Sequence, residues 1–124
     1  MSKTILVVED QHAVRRVVVR MLRAAGFDVL EAANGEEALI LLKNGPRVDV
    51  VVTDITMPEM GGIELEKRLS LAASPVPVLF ITGRDQDPAL LPGPLLPKPF
   101  KPEELVAEVR RLLSQTPAPG QDRA

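Results

Sequence analysis

The strongest constraint on this chain is an alternation. Short apolar runs occur at "TILVV" (4–8), "DVLEA" (28–32), "VDVVVT" (48–53), "VPVLFI" (76–81) and, more weakly, "PLL" (94–96), with longer amphipathic or polar stretches between them. Runs this short and this rich in β-branched residues, separated by helix-length segments, predict parallel βαβ units with strands buried on both faces. The composition supplies such a core, because 45% of the residues are hydrophobic while only three are Phe and none is Trp or Tyr.

The intervening segments read as helices. Val14, Val17, Val18, Met21, Leu22 and Ala25 recur at helical spacing, and Gly26 offers a C-terminal stop. In "NGEEALILL" Asn34 can cap a second helix and Glu37 can complete a capping box ahead of Ala38, Leu39 and Leu42, with Gly45-Pro46 closing it. A third follows Gly61-Gly62 and carries Ile63, Leu65 and Leu69, with Pro75 barring extension far beyond Ser74. The last begins at "KPEELVAEVRRLL", with Pro102 in the first turn, Glu103 and Glu104 near the positive end of the dipole, and Arg110 and Arg111 near the other. Between Gly83 and Phe100, prolines at 88, 92, 94, 97 and 99 leave room for one or two helical turns at most, so the helix before the fifth strand is shortened or irregular. Residues 1–114 form one domain on this reading, and 115–124, nearly without apolar side chains, form a flexible tail or linker.

Several function classes drop out. With 15 basic and 17 acidic side chains the net charge is -2, which provides no electrostatic footprint for nucleic acid or an anionic membrane. The absence of cysteine removes disulfides, thiol catalysis and zinc–cysteine sites. His12 alone cannot build a metal cage and reads as an exposed residue at the start of the first helix. The run "ILVV" stops at Glu9, far short of a signal-peptide core or a spanning helix of about 20 residues, so a cytoplasmic location is expected.

In an open parallel sheet, ligands bind beyond the carboxyl ends of the strands. Strands one, three, four and five laid side by side bring Glu9, Asp10, Asp54, Thr82 and Lys98 to that edge. Carboxylates crowded together repel: at about 4 Å and an effective dielectric near 20 a pair costs roughly 4 kcal/mol, so a divalent cation or a proton is required. Carboxylate oxygens and water suit Mg²⁺, and a lysine with a hydroxyl beside it would complement phosphoryl oxygens. Taken singly, each residue has a plainer explanation: a helix cap at Glu9-Asp10, a strand-end cap at Asp54, a turn hydroxyl at Thr82, a surface cation at Lys98. The plain readings would all have to fall into register by coincidence.

The order "EDQ", "D", "TG", "KPF" after strands one, three, four and five resembles the receiver domain of two-component response regulators, over about residues 3 to 114. The resemblance implies a flavodoxin-like, doubly wound five-stranded parallel sheet in the order 2-1-3-4-5 with helices on both faces. It further implies that Asp54 is the phosphoacceptor, supplied by a sensor histidine kinase or histidine phosphotransfer protein and read by a downstream effector or attached kinase domains. Asp10 would bind Mg²⁺ (or Mn²⁺) directly, Glu9 through water, and Thr56 through its backbone carbonyl. Lys98 would pair with the phosphoryl group, Thr82 would turn its hydroxyl toward it, Gly83 would leave it room, and Thr56 and Arg84 would tune hydrolysis. "MPEMGG" (57–62) resembles the family's "MPxMxG" loop, in which Pro58 fixes a turn and the glycines permit unusual backbone angles. Lys98-Pro99 resembles the family's cis peptide bond.

The chain departs from the pattern between Thr82 and Lys98, where it is several residues short. At Leu95, three residues before Lys98, the family often has an aromatic that turns inward on activation. The usual dimer surface is therefore not expected, and phosphorylation would act through loop ordering and added charge. Two alternatives use the same residues. A receiver acting as a constitutive binding module would need no phosphorylation. A small Mg²⁺-dependent phosphatase or phosphotransferase would use Asp54 as nucleophile, but Thr56 stands where its second aspartate belongs. Flavodoxin-type cofactor binding is disfavoured by the scarcity of aromatics and by acids where a phosphate loop would lie.

Overall fold

The computed structural model describes residues 2–71, 76–83 and 87–115. The elements run β1 (Thr4–Val8), α1 (His12–Ala24), β2 (Asp28–Ala32), α2 (Gly35–Asn44), β3 (Val50–Asp54), α3 (Gly62–Leu71), β4 (Val78–Thr82), a 3₁₀ turn (Pro88–Leu90), β5 (Leu95–Pro97) and α4 (Pro102–Gln115). All the strand pairings are parallel, in the order β2-β1-β3-β4-β5. The register places Val8 beside Thr53 and Asp54 beside Ile81, so the carboxyl ends of β1, β3 and β4 finish along one edge.

Alternation along the strands divides the core in two. Ile5, Val7, Val50, Val52, Leu79 and Ile81 pack beneath α1 and α4, while Leu6, Val8, Val51, Val78 and Phe80 pack beneath α2 and α3. Burying both faces is what the β-branched runs require.

Helix α1 keeps most of the expected face, Ala25 included, but its centre is shifted toward Val19 and away from Val17. Val18, Val19 and Leu22 are buried, Val14 and Met21 are partly buried, and Val17 is 52% exposed. Three consecutive valines leave the phase of the pattern ambiguous, and the packed stripe is 15, 18, 19, 22. Gly26 follows the helix with φ of 95°. At α2 the Asn34 side chain accepts from Glu37 N at 2.8 Å, and Glu37 reaches back to the N–H of Ala33 at 2.9 Å, one residue before the cap. In α3 Leu65 and Leu69 are buried and Ile63 is exposed. The expected limit near Ser74 and Pro75 lies outside the described residues, as do Arg84 and the proposed tail beyond Gln115.

Between β4 and β5 the proline-rich segment forms a single 3₁₀ turn among the described residues. Gly93 lets this segment lie close on the sheet: a Cβ there would stand 2.9 Å from the Val78 carbonyl oxygen and 3.3 Å from the Phe80 ring. Leu91 and Leu95 pack against the Phe80 side of the core. Among the described residues no helix is long and apolar enough to cross a membrane.

Candidate functional site

An open cleft of about 580 Å³ lies at the carboxyl edge of the sheet, with Asp10, Asp54, Thr56, Thr82, Gly83 and Lys98 on its walls. Topology explains the convergence. Asp54 ends β3, Thr82 ends β4, Glu9 and Asp10 follow β1, and Lys98 follows β5.

Lys98 links the acids. Its ammonium donates to Glu9 Oε1 at 3.0 Å and to Asp54 Oδ2 at 3.1 Å. The other Asp54 oxygen accepts from Thr56 N at 3.1 Å, and the other Glu9 oxygen accepts from Gln11 N at 3.1 Å. Backbone bonding sets the lysine's level, since Lys98 N donates to the Thr82 carbonyl at 2.7 Å. The Lys98-Pro99 peptide is cis, as the likeness implied.

One carboxylate oxygen from each of Glu9, Asp10 and Asp54 lies within 4.8 Å of the others. The three differ in exposure: Glu9 is buried below the cleft, Asp54 is half-buried, and Asp10 is exposed. Burial, and then hydrogen bonding to Asp54, pushes the Glu9 carboxyl up to about 7, against the opposing pull of Gln11 N and Lys98. Burial lowers the Lys98 ammonium's pKa, but its bonds to Glu9 and Asp54 outweigh that and hold it above its ordinary value.

These donors fit a hard divalent cation. Among the described residues three carboxylates are grouped beside one ammonium that pairs with two of them, so negative charge is left in excess, and the grouped donors are all oxygens. Thr82 is buried at the end of β4, close under the cleft. Among the described residues a Cβ at Gly83 would meet only Lys98 Cδ, at 3.9 Å.

The loop after β3 is shaped differently from the expectation. The unusual backbone angle falls on Glu59, with φ of 66°, not on Gly61 or Gly62. Those glycines serve close approach: a Cβ at 61 would run into the Ile55 carbonyl, and one at 62 into the Asp54 carbonyl. Met60 is buried, and its sulfur lies against Gly35 at the start of α2.

Sequence reading missed Arg15. Its Nη1 donates to the Glu9 carbonyl at 2.8 Å, its Nε to Glu31 Oε1 at 3.2 Å, and its Nη2 lies 3.0 Å from Nδ1 of His12. A signal was present, because position 15 shares the helical stripe of Val18, Val19 and Leu22 and thus faces inward. His12 is exposed at the start of α1, as expected, and also touches Arg15.

A family model for the response regulator receiver domain matches residues 5–110. The sensor kinase CckA of Brucella abortus is 39% identical over 121 residues, covering 92% of this chain and 13% of that protein. The response regulator MprA of Mycobacterium sp. (strain KMS) is 40% identical over 122 residues, covering 94% of this chain and 53% of MprA. The chain therefore spans about half of one curated relative and a small part of the other. The chemotaxis protein CheY4 of Vibrio cholerae superposes with a TM-score of 0.82 at 30% identity, covering 91% of this chain and 100% of that one.

Proposed function

Because the chain belongs to the response regulator receiver domain family, we propose that it accepts a phosphoryl group on Asp54 from a phosphohistidine. The donor is a sensor histidine kinase or a histidine phosphotransfer protein, and the phosphorylated state is read by a downstream effector or by kinase domains of the same polypeptide. Residues 1–114 make up the receiver on this reading, and 115–124 a tail or linker.

In the transfer, an Asp54 carboxylate oxygen attacks phosphorus as the bond to the donor's imidazole nitrogen breaks. The electron pair returns to the ring, and the product is an aspartyl phosphate. Asp54 is held ready by the two bonds to its carboxylate, from Thr56 N and Lys98 Nζ. The Lys98 ammonium then has phosphoryl oxygens to pair with in place of a carboxylate, and the Thr82 hydroxyl supplies a further hydrogen bond. Gly83 leaves the phosphoryl group room beside Lys98. Glu9, Asp10 and Asp54, with the Thr56 carbonyl, would hold Mg²⁺ or Mn²⁺, which supplies positive charge to the phosphoryl oxygens.

The observation that carries this reading is the convergence on Asp54 at the floor of an open cleft, with Lys98 at 3.1 Å and two further carboxylates in one 4.8 Å group. Intact-protein mass after incubation with Mg²⁺ and acetyl phosphate tests it. The native chain gains one phosphoryl group only with Mg²⁺, and Asp54→Asn gains none. A folded native chain that takes up no phosphoryl group from acetyl phosphate or from a phosphorylated histidine donor overturns it.

A further inference from the structure

We propose that Arg15 is a positioning residue for the acidic site, clamping the β1–α1 loop so that Glu9 and Asp10 are presented to a divalent cation together with Asp54. This rests on the reading above that those carboxylates hold Mg²⁺.

The loop needs an external hold. Gln11 is the N-cap of α1 and makes no side-chain cap bond, and the first turn of the helix carries no acidic residue. A helix start of this kind ordinarily recruits a side-chain acceptor. No such acceptor is supplied here, and the loop ahead of the helix is tied by a donor side chain acting on its carbonyl. From the second turn, the Arg15 guanidinium passes over Gln11 to the Glu9 carbonyl at 2.8 Å. The opposite side of the same peptide chain is fixed by Glu9 N donating to Ala32 O on β2 at 3.1 Å. Glu9 is thus held through its backbone on both sides, and its carboxylate is free to meet Lys98 and Gln11 N.

The guanidinium is itself held. Its Nε donates to Glu31 on β2 at 3.2 Å, its Nη2 meets His12 Nδ1 at 3.0 Å, and only 14% of the side chain is exposed. Each nitrogen of the planar fork has a separate partner. That is a geometry lysine cannot reproduce, since an ammonium is a single point of donation on a flexible stem. Val18, Val19 and Leu22 pack the same stripe of α1 into the core, so the base of the clamp is rigid.

Arg15→Lys is the discriminating variant because it keeps the charge and loses the fork. Calorimetry with Mg²⁺ alone, amide hydrogen exchange at residues 10–13 without metal, and acetyl phosphate labelling across Mg²⁺ concentrations are the readouts. The variant remains folded by circular dichroism, its loop amides exchange faster, and its Mg²⁺ affinity falls about tenfold, the effect typical of losing a group that orients a metal ligand. Labelling slows at low Mg²⁺ and returns close to the native rate at saturation. Glu31→Gln weakens Mg²⁺ in the same direction, and the double variant is less than additive. Mg²⁺ affinity within twofold of native, or unchanged loop exchange, overturns the clamp while leaving the phosphoacceptor reading intact. A native chain that binds no Mg²⁺ overturns both the metal reading and the clamp.

Discussion

Lys98 and Glu9 are 89 residues apart in sequence and 3.0 Å apart in space, and the carboxylate that the ammonium meets is fully buried. The pair is joined to Asp54 through the same nitrogen. Replacing Lys98 therefore has two consequences. In Lys98→Met, Glu9 and Asp54 lose their shared cation, and the phosphoryl group would lose its ammonium partner. Labelling by acetyl phosphate is expected to slow on the order of 10²-fold, the usual cost of removing one charged stabiliser of an oxyanion. The folded state persists, because Glu9 can take up a proton in place of the ion pair. Single-turnover labelling with circular dichroism on the same samples checks both statements.

The Glu9 carboxyl predicts an inverted pH dependence for the metal-free domain. Its folded-state value, about 7, lies above the ordinary 4.5, so the native state keeps a proton that the unfolded chain releases. The stability from this group is fully present below about 4.5 and is lost as pH rises through about 7. Lys98, raised from 10.5, contributes throughout that window and loses its share only at higher pH. Urea unfolding in a chelator, native against Glu9→Gln, should show the native chain losing on the order of 1–3 kcal/mol relative to the variant between pH 5 and pH 8. A flat difference across that range contradicts the assignment.

The phase of α1 can be tested in the same way. Val19 is buried to 1% exposure and Val17 is 52% exposed. Val19→Ala should cost about 1–2.5 kcal/mol in urea unfolding, and Val17→Ala less than about 0.5 kcal/mol. A larger cost at Val17 than at Val19 would restore the sequence-based stripe, in which Val17 faces inward and Val19 does not.

That contrast shows where the fold was legible and where it was not. The strands could be read because β-branched runs bounded by acids, glycines and prolines have few other uses, and β1 and β2 fall on the residues quoted from the sequence. The site could be read because its members end consecutive strands, so strand order alone brings Glu9, Asp54, Thr82 and Lys98 together. Helix phase could not be fixed by a pattern with valine at three successive positions. Arg15 was overlooked because an arginine among four on one helix reads as surface charge until its three partners are seen. The roles of Gly61 and Gly62 depend on carbonyls that only tertiary packing brings near.

Gly93 tests the substitution of a loop for a helix above β4. A methyl group there meets the Val78 carbonyl at 2.9 Å and the Phe80 ring at 3.3 Å, and the carbonyl belongs to a buried strand that cannot move far. Gly93→Ala should destabilise by about 1–3 kcal/mol, as overpacking does in a close-packed interior. Gly83→Ala, whose Cβ meets only Lys98 Cδ at 3.9 Å among the described residues, should stay near native stability. Thermal unfolding of the two variants side by side separates a packed segment from one that merely crosses the sheet.

The acidic group itself should be a source of instability that the metal relieves. Glu9, Asp10 and Asp54 place three carboxylate oxygens within 4.8 Å, with Lys98 bonded to two of the three acids. In Asp54→Asn one of those charges is removed while shape and most hydrogen bonding are kept, and both the hydrogen bond and the charge that raise the Glu9 carboxyl are weakened. In a chelator at pH 8 this variant should therefore melt higher than the native chain. A gain of about 1 kcal/mol corresponds to about 4 °C for a domain of this size. Added Mg²⁺ should raise the native melting temperature by the mass action of a ligand that binds the folded state, and raise that of Asp54→Asn less, because on the proposed function one ligand carboxylate would be gone. If the variant melts lower in the chelator, Asp54 contributes more through its bonds to Thr56 and Lys98 than it costs through repulsion, and the crowding argument fails.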